Sequence, residues 1–587
     1  MSSIKQKNFW LQIAGLILVL IAVFLPKKEI VSVLVSQTSE RFESLLAGAM
    51  LLKLSLMIDG LLLLGLGLSW YRIKYLSDKG SLLDSASFKL PENRTTLLNW
   101  LVLGLLLTMA FILRIIKLNQ GMWYDEVVTL VHFVRPPFGE IITNYSAQNQ
   151  HFLYSIFAHF SILTFGESIW ALRLPAVLFG VGSIWALYAL AMMVTDKKEA
   201  MLAATMLTLS YHHIWFSQNA RGYIGLLFLT LITTWLFIRG LEEGRWSIWI
   251  SYAVGIALGL YIHLSMAFVL ISHVIIYGYV FLKSPSPRYT EYWKPFLAFC
   301  LVGLFSFQLY SLVIPQVFQT IFHQGNEVSS EWTNPIWTLM ETIRGLKIGF
   351  ATSFGVLGAL VLFGAGLISY ARKNLLVVMF LVLPGLIGIA ISMFLQRNVW
   401  PRFFFYVIGF GILVLIRGAN VLGQVVARVI LRRDENSFLR RNLGMGFALI
   451  IVLLSVWSLR SAYYPKQDYI GARTFIENMR QDNEPIVSIG YTSIPWQIYF
   501  APNCLAVETL EQLNTIKKQS KRTWLVYTFP IYMKSRHPEI YESIQNDFTL
   551  INKFPGTLGD GTIYVCLSKP VSGDTKEELP EFEESYH

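Results

Sequence analysis

Two carboxylates stand side by side at Asp125 and Glu126, inside Gly121-Met-Trp-Tyr-Asp-Glu126. A carboxylate so placed can take a proton from an attacking hydroxyl. Other chemistry-bearing residues recur in short polar breaks between apolar stretches. His151 and Tyr154 lie in Gln150-His-Phe-Leu-Tyr154, Arg221 and Tyr223 in Ser217-Gln-Asn-Ala-Arg-Gly-Tyr223, His263 in Tyr261-Ile-His263, and Arg402 in Gln396-Arg-Asn-Val-Trp-Pro-Arg402. Arginine forks clamp phosphate, and hold it more tightly as it gains charge when its bond to carbon breaks. Tyrosine rings can pack a sugar or an isoprenoid tail. The chemistry this set suits is transfer from a lipid phosphate. Asp125 and Glu126 are then the catalytic carboxylates, and Arg221, Arg402 and His151 hold the donor phosphate. Tyr124, Tyr154, Tyr223 and His263 line the substrate pocket.

Such residues need elements that bring them to one side of a membrane. The chain has 587 residues, of which 54% are apolar and only 14% charged. Soluble domains carry about 25% charged residues. The composition excludes a soluble enzyme, a disordered chain and a fibrous one, and leaves a mainly α polytopic membrane protein. Runs of about 20 apolar residues give thirteen candidate spans, at 9–25, 46–71, 97–116, 171–194, 200–216, 223–239, 247–263, 265–282, 295–315, 349–371, 375–395, 404–417 and 444–460. The stretch 152–165 is too short to span and reads as interfacial or re-entrant. With the N-terminus in the cytoplasm, 22 Lys and Arg fall in cytoplasmic segments and 10 in the opposite loops up to residue 460. That bias sets the orientation and puts every residue named above on the outer face. The net charge of +11 divides into −4 for residues 461–587 and +15 for the rest. It therefore reports orientation, and no nucleic-acid partner is expected.

The membrane part resembles the GT-C glycosyltransferases that use polyprenyl-phosphate sugars, a group that includes protein O-mannosyltransferases and lipid A aminoarabinose transferases. The matching pieces, in order over about 97–420, are Trp123-Tyr-Asp-Glu126, His151-Phe-Leu-Tyr154, Gly166-Glu-Ser-Ile-Trp-Ala-Leu-Arg-Leu-Pro175, Ser217-Gln-Asn-Ala-Arg-Gly-Tyr223, Tyr261-Ile-His263 and Pro401-Arg402. The resemblance implies a GT-C fold with Asp125 as catalytic base or acceptor-orienting carboxylate. It implies a polyprenyl-phosphate-linked sugar donor, a lipid, glycan or protein acceptor, and membrane lipids as surroundings. The departures are Phe152 and Leu153 for the family's two prolines, Asn219 for its Glu and Phe403 for its Tyr. No cofactor is firmly expected. A divalent cation on Asp125 and Glu126 stays open, since some relatives use one, although no His, Cys and carboxylate cluster has structural-metal spacing.

Three parts follow: 1–96, a two-span addition with a cytoplasmic loop; 97–460, the catalytic membrane domain with its outer loop 117–170; and 461–587, an extracytoplasmic α/β domain. In the last, 485–490, 523–528 and 562–567 read as buried strands, and 470–481, 508–518 and 536–546 as helices. Its acidic end from about Ser572 reads as frayed. Cys504 and Cys566 share the oxidising side, which leaves a disulfide open. The expected activity is inverting sugar transfer on the outer face of the plasma (inner) membrane. The alternatives are a transporter or flippase of lipid-linked sugars, against which the absence of a repeat speaks, and a non-catalytic assembly protein.

Overall fold

The computed structural model describes residues 2–73, 82–85, 96–284, 289–323, 334–350, 352–397, 399–432, 437–481 and 483–569. The acidic end from Ser572 lies outside the described residues. The chain forms two compact units. One runs over Met1–Gln120 and Thr129–Tyr463, the other over Gly121–Val128 and Tyr464–His587.

The first unit is helical. Among the described residues, ten helices are long and apolar enough to cross a membrane, or eleven if a bent pair counts as one span. Thirteen were expected, and the differences have local causes. The first apolar stretch bends by 95° between Phe24 and Lys27, at Pro26, whose ring cannot continue a helix. The stretch 200–216 divides into Lys197–Thr208 and Tyr211–Ser217, with Ser210 capping the second piece through its hydroxyl. The seventh, Trp246–Ile262, has 17 residues. The expected 404–417 grows instead into Pro401–Val429, a short 3-10 turn running into the helix Ile408–Val429. The integral membrane class therefore stands, with fewer full-length spans than the hydropathy runs suggested.

Ionisable groups inside such a unit must be paired. Glu199 is buried and accepts from Arg417 Nη1 at 2.9 Å and from Asn420 Nδ2 at 2.6 Å, and Arg417 Nε donates to Ser369 Oγ at 3.0 Å. A close approach of two helices makes this reach short. A Cβ on Gly418 would collide with the Leu362 carbonyl, and one on Gly366 with the Val414 carbonyl. Arg417, counted in the sequence as an orientation marker, is thus also a structural ion-pair partner.

The second unit is built on a five-stranded sheet of order β2-β1-β3-β5-β4. The strands are β1 Ile486–Ile489, β2 Leu505–Val507, β3 Trp524–Tyr527, β4 Phe548–Phe554 and β5 Ile563–Ser568. β1 pairs parallel with β2 and β3, while β5 pairs antiparallel with β3 and β4. The expected strands 485–490, 523–528 and 562–567 are β1, β3 and β5. β1 and β3 are buried on both faces, which is why they read as continuous apolar runs. β2 has three residues, and β4 reads Phe-Thr-Leu-Ile-Asn-Lys-Phe at a sheet edge, so neither carries that signal. Val487, Leu525, Leu513, Met533 and Ile544 form the core.

Cys504, next to β2, and Cys566, on β5, are both free and buried. β1 and β3 stand between their strands, and three strand spacings of about 4.8 Å exceed the span of a disulfide. Burial pushes each thiol up to about 12. A water-soluble disulfide reagent at pH 8 is therefore expected to leave both unmodified in folded protein and to modify both after denaturation, read by peptide mass spectrometry. Modification of either one in the folded state would contradict this packing.

The segment Gly121–Val128 belongs to this second unit. The Tyr124 N–H donates to Gln467 Oε1 at 3.0 Å, and Gln467 Nε2 donates in turn to Thr528 Oγ1 and the Gly561 carbonyl, each at 3.2 Å. The chain thus leaves the helical unit at Gln120 and re-enters it at Thr129, with the acidic pair in between.

Candidate active site

Tyr124–Thr129 is a short helix preceded by Trp123. Glu126 sits at its third position and accepts from the Trp123 N–H at 3.4 Å, which is half of a capping box. Asp125 is one position earlier, in the first turn, where the helix dipole favours a carboxylate. The Tyr124 ring lies 4.7 Å from that of Tyr491, which stacks on Tyr532 at 4.1 Å. Burial, then Tyr491 and Asp125, hold the Tyr124 phenol well above its ordinary range. Burial and Asp125 do the same to Tyr469. Asp125 is thus a carboxylate beside two phenols that stay protonated. Among the described residues no three His, Cys, Asp or Glu side chains converge to hold a metal ion. The acidic pair alone would offer a divalent cation two carboxylates.

The helical unit gathers His151, Arg221, Tyr223, His263 and Arg402. The turn after Ser217 is pinned to the end of the helix Leu97–Ile115, because Gln218 Nε2 donates to the Arg114 carbonyl at 3.0 Å and to the Ile116 carbonyl at 2.6 Å. Arg221, 2% exposed, donates through Nη1 to the Asn149 carbonyl at 2.6 Å and to Thr129 Oγ1 at 3.0 Å. Its guanidinium lies 5.6 Å from the Tyr223 ring. That of Arg402 lies 3.9 Å over Trp400 and 5.6 Å from Phe403, so Trp400 carries an arginine on its face.

Four rings close the group. His151 lies 5.1 Å from His263 and 5.3 Å from Tyr223, and Phe403 lies 6.2 Å from His263. Gly222 makes this possible, since a Cβ there would sit 2.7 Å from His151 Nδ1. Burial, together with the charges of Arg221 and Arg402, holds the His151 imidazole well below its ordinary range. Two guanidinium groups therefore act on one buried, neutral ring.

Tyr154, expected in the substrate pocket, is placed otherwise. It is fully buried, and its hydroxyl donates to the Leu172 carbonyl at 2.7 Å, docking the helix Phe152–Phe165 on Ile169–Val194. Sequence reasoning missed Arg114, a cation inside a span that holds the neighbourhood of Arg221. A lone arginine within an apolar run was the signal available for it.

Residues 150–311 match the model of the family described as dolichyl-phosphate-mannose-protein mannosyltransferase. No curated protein matches the chain. Solved structures similar to it include the oligosaccharyltransferase AglB of Archaeoglobus fulgidus in complex with an inhibitory peptide and a dolichol-phosphate, at 14% identity over 76% of this chain and 71% of that one, TM-score 0.46. ArnT of Cupriavidus metallidurans in the apo state is 13% identical over 80% and 97%, TM-score 0.47. The arabinosyltransferase EmbB of Mycobacterium smegmatis is 13% identical over 70% and 44%, TM-score 0.45. At these scores the three likenesses carry no weight of their own. The matched segment holds His151, Arg221, Tyr223 and His263, so the family likeness falls on four of the residues gathered above.

Proposed function

We propose that this protein is a glycosyltransferase that moves a sugar from a polyprenyl-phosphate donor to an acceptor hydroxyl, with inversion, on the outer face of the plasma membrane. The observation that carries the reading is the gathering of Arg221 and Arg402 against the rings of Tyr223 and Phe403, which in turn lie against His151 and His263. Two guanidinium groups beside aromatic rings suit a phosphate on an apolar tail. The matched family, whose donor is a dolichyl-phosphate sugar by its description, supports the same donor class. The acceptor oxygen forms a bond to the anomeric carbon as the carbon–oxygen bond to phosphate breaks. The hydroxyl proton passes to Asp125, and the arginines take up the charge that grows on the phosphate. Glu126 fixes the start of the helix that presents Asp125, and Tyr124, Tyr223 and His263 contact substrate. A single displacement inverts the anomeric configuration.

The outer face rests on the Lys and Arg bias, which places the N-terminus in the cytoplasm and residues 461–587 outside it. The acceptor is a lipid, a glycan or a protein hydroxyl. The full chain, reconstituted in vesicles with an undecaprenyl-phosphate-linked sugar and cell-envelope acceptors, is expected to yield a glycoside of opposite anomeric configuration, read by NMR. Retention of configuration would overturn the single displacement. Movement of the sugar across the bilayer without a new glycosidic bond would overturn the transferase reading in favour of a flippase.

A further inference from the structure

His151 and His263 have neighbouring rings, yet the backbone gives them opposite proton positions. His151 Nδ1 lies 2.9 Å from the Ile262 carbonyl. A carbonyl oxygen only accepts, so Nδ1 carries the proton and Nε2 presents a lone pair. His263 Nδ1 lies 3.1 Å from the Ser265 N–H. An amide only donates, so in His263 Nδ1 is the lone pair and Nε2 carries the proton. His151 is 1% exposed, and its Nε2 has no hydrogen-bond partner among the described residues. A buried acceptor left without a donor is costly and marks a place where a ligand or water group completes the bonding. A phosphate oxygen without a proton cannot do so, because it has no hydrogen to give.

We propose that His151 and His263 form an acceptor–donor pair that reads a hydroxyl of the transferred sugar. The hydroxyl hydrogen goes to His151 Nε2, and its oxygen accepts from His263 Nε2–H. A hydroxyl is the group that both donates and accepts at one atom. The pair stands beside Arg221 and Arg402, so the inference rests on their reading as the phosphate site and moves His151 from the phosphate to the sugar next to it. Gly222 leaves the room the ring occupies, since a Cβ there would sit 2.7 Å from His151 Nδ1. Specificity then comes from a buried polar atom that goes unpaired when the hydroxyl is missing.

The test uses the full chain in lipid nanodiscs. The probes are undecaprenyl phosphate alone, the same lipid carrying mannose, glucose, galactose or arabinose, and the monodeoxy forms of the sugar bound most tightly. Wild type is expected to bind one sugar-bearing lipid more tightly than the bare lipid, and His151→Phe to remove about tenfold of that gain, the worth of one hydrogen bond. The variant should bind bare undecaprenyl phosphate as wild type does. One deoxy form should lose the same factor on wild type and nothing further on His151→Phe. Equal weakening of bare and sugar-bearing lipid, no deoxy form coupled to His151, or no sugar bound more tightly than bare lipid would each overturn the proposal. A gain that survives His151→Phe would do so too, leaving the acceptor's hydroxyl as the group read. Nitrogen-15 NMR of wild type keeps the test independent of the variant's folding: His151 must be protonated at Nδ1 alone and His263 at Nε2 alone. Arg221→Gln and Arg402→Gln with unchanged affinity for bare undecaprenyl phosphate would defeat the phosphate reading separately.

Discussion

Asp125→Asn is expected to lower kcat by about 10²–10⁴-fold and to leave binding of undecaprenyl phosphate unchanged. The amide has the shape of the carboxylate but cannot take the proton of the attacking hydroxyl. That proton moves only in the transition state, so the loss belongs in kcat. Folding is expected to survive. Asp125 stands in the first turn of Tyr124–Thr129, where exchanging a charged for a neutral acceptor costs about 0.3–1 kcal/mol. The rest of the segment is held by other groups, the Tyr124 N–H on Gln467 and the Tyr124 ring on Tyr491. Glu126→Gln separates chemistry from scaffolding. Gln can still accept from the Trp123 N–H, so a capping role predicts near-normal turnover, whereas a second catalytic carboxylate predicts a loss like that of Asp125→Asn. Single-turnover transfer and lipid binding on the same preparations decide between them. Full turnover in Asp125→Asn would remove the carboxylate from the mechanism.

The residues that come together were legible because they sit in polar breaks of an apolar chain. Arg221, His151, His263 and Arg402 come together from four loops far apart in sequence, and their shared side followed from charge bias alone. The resemblance over about 97–420 pointed to the same residues. Packing roles were less legible. Tyr154 belongs to the His151-Phe-Leu-Tyr154 segment, yet it lies one helical turn along and points its hydroxyl at a carbonyl. The role of Trp400 was not legible either, because sequence shows a tryptophan near a span end, not the guanidinium above its ring. The divided stretch 200–216 escaped hydropathy because Leu209 and Ser210 interrupt the helix without lowering the apolar content. In the second unit, β1 and β3 were visible as fully buried runs. Nothing local links Gly121–Val128 to a sheet more than 300 residues later, because the ties are side-chain contacts, Gln467 on the Tyr124 backbone N–H and Tyr491 against the Tyr124 ring.

Arg114→Leu is expected to cost about 3–5 kcal/mol of stability, a large part of what holds a domain folded. Arg114 is fully buried near the end of Leu97–Ile115. Its guanidinium donates to the Ala110 carbonyl at 2.9 Å, to Ser217 Oγ at 3.2 Å, and to the Thr208 carbonyl at 3.4 Å from Nη1 and 3.3 Å from Nη2. The Thr208 carbonyl belongs to the last turn of Lys197–Thr208, whose acceptors lost their helical partners where the span divides. In a membrane no water replaces them. The guanidinium also donates to His213 Nδ1, so His213 Nε2–H points to Ser183 Oγ at 2.7 Å, and Ser183 donates to the Gly180 carbonyl at 2.8 Å. Removing the arginine leaves several acceptors unsatisfied at once. Leucine fills volume and answers none of them. Arg114→Lys keeps the charge but not the fork, and should fall between. The double variant Arg114→Leu/His213→Phe should lose less than the sum of its singles, since the second change removes an orphaned lone pair. Thermal midpoints in detergent measure all four. Ser217 opens the turn that carries Arg221, so any Arg114→Leu protein that still folds is also expected to bind undecaprenyl phosphate more weakly. Unchanged midpoint and unchanged lipid affinity together would show that the break at Leu209–Ser210 is held by something other than this arginine.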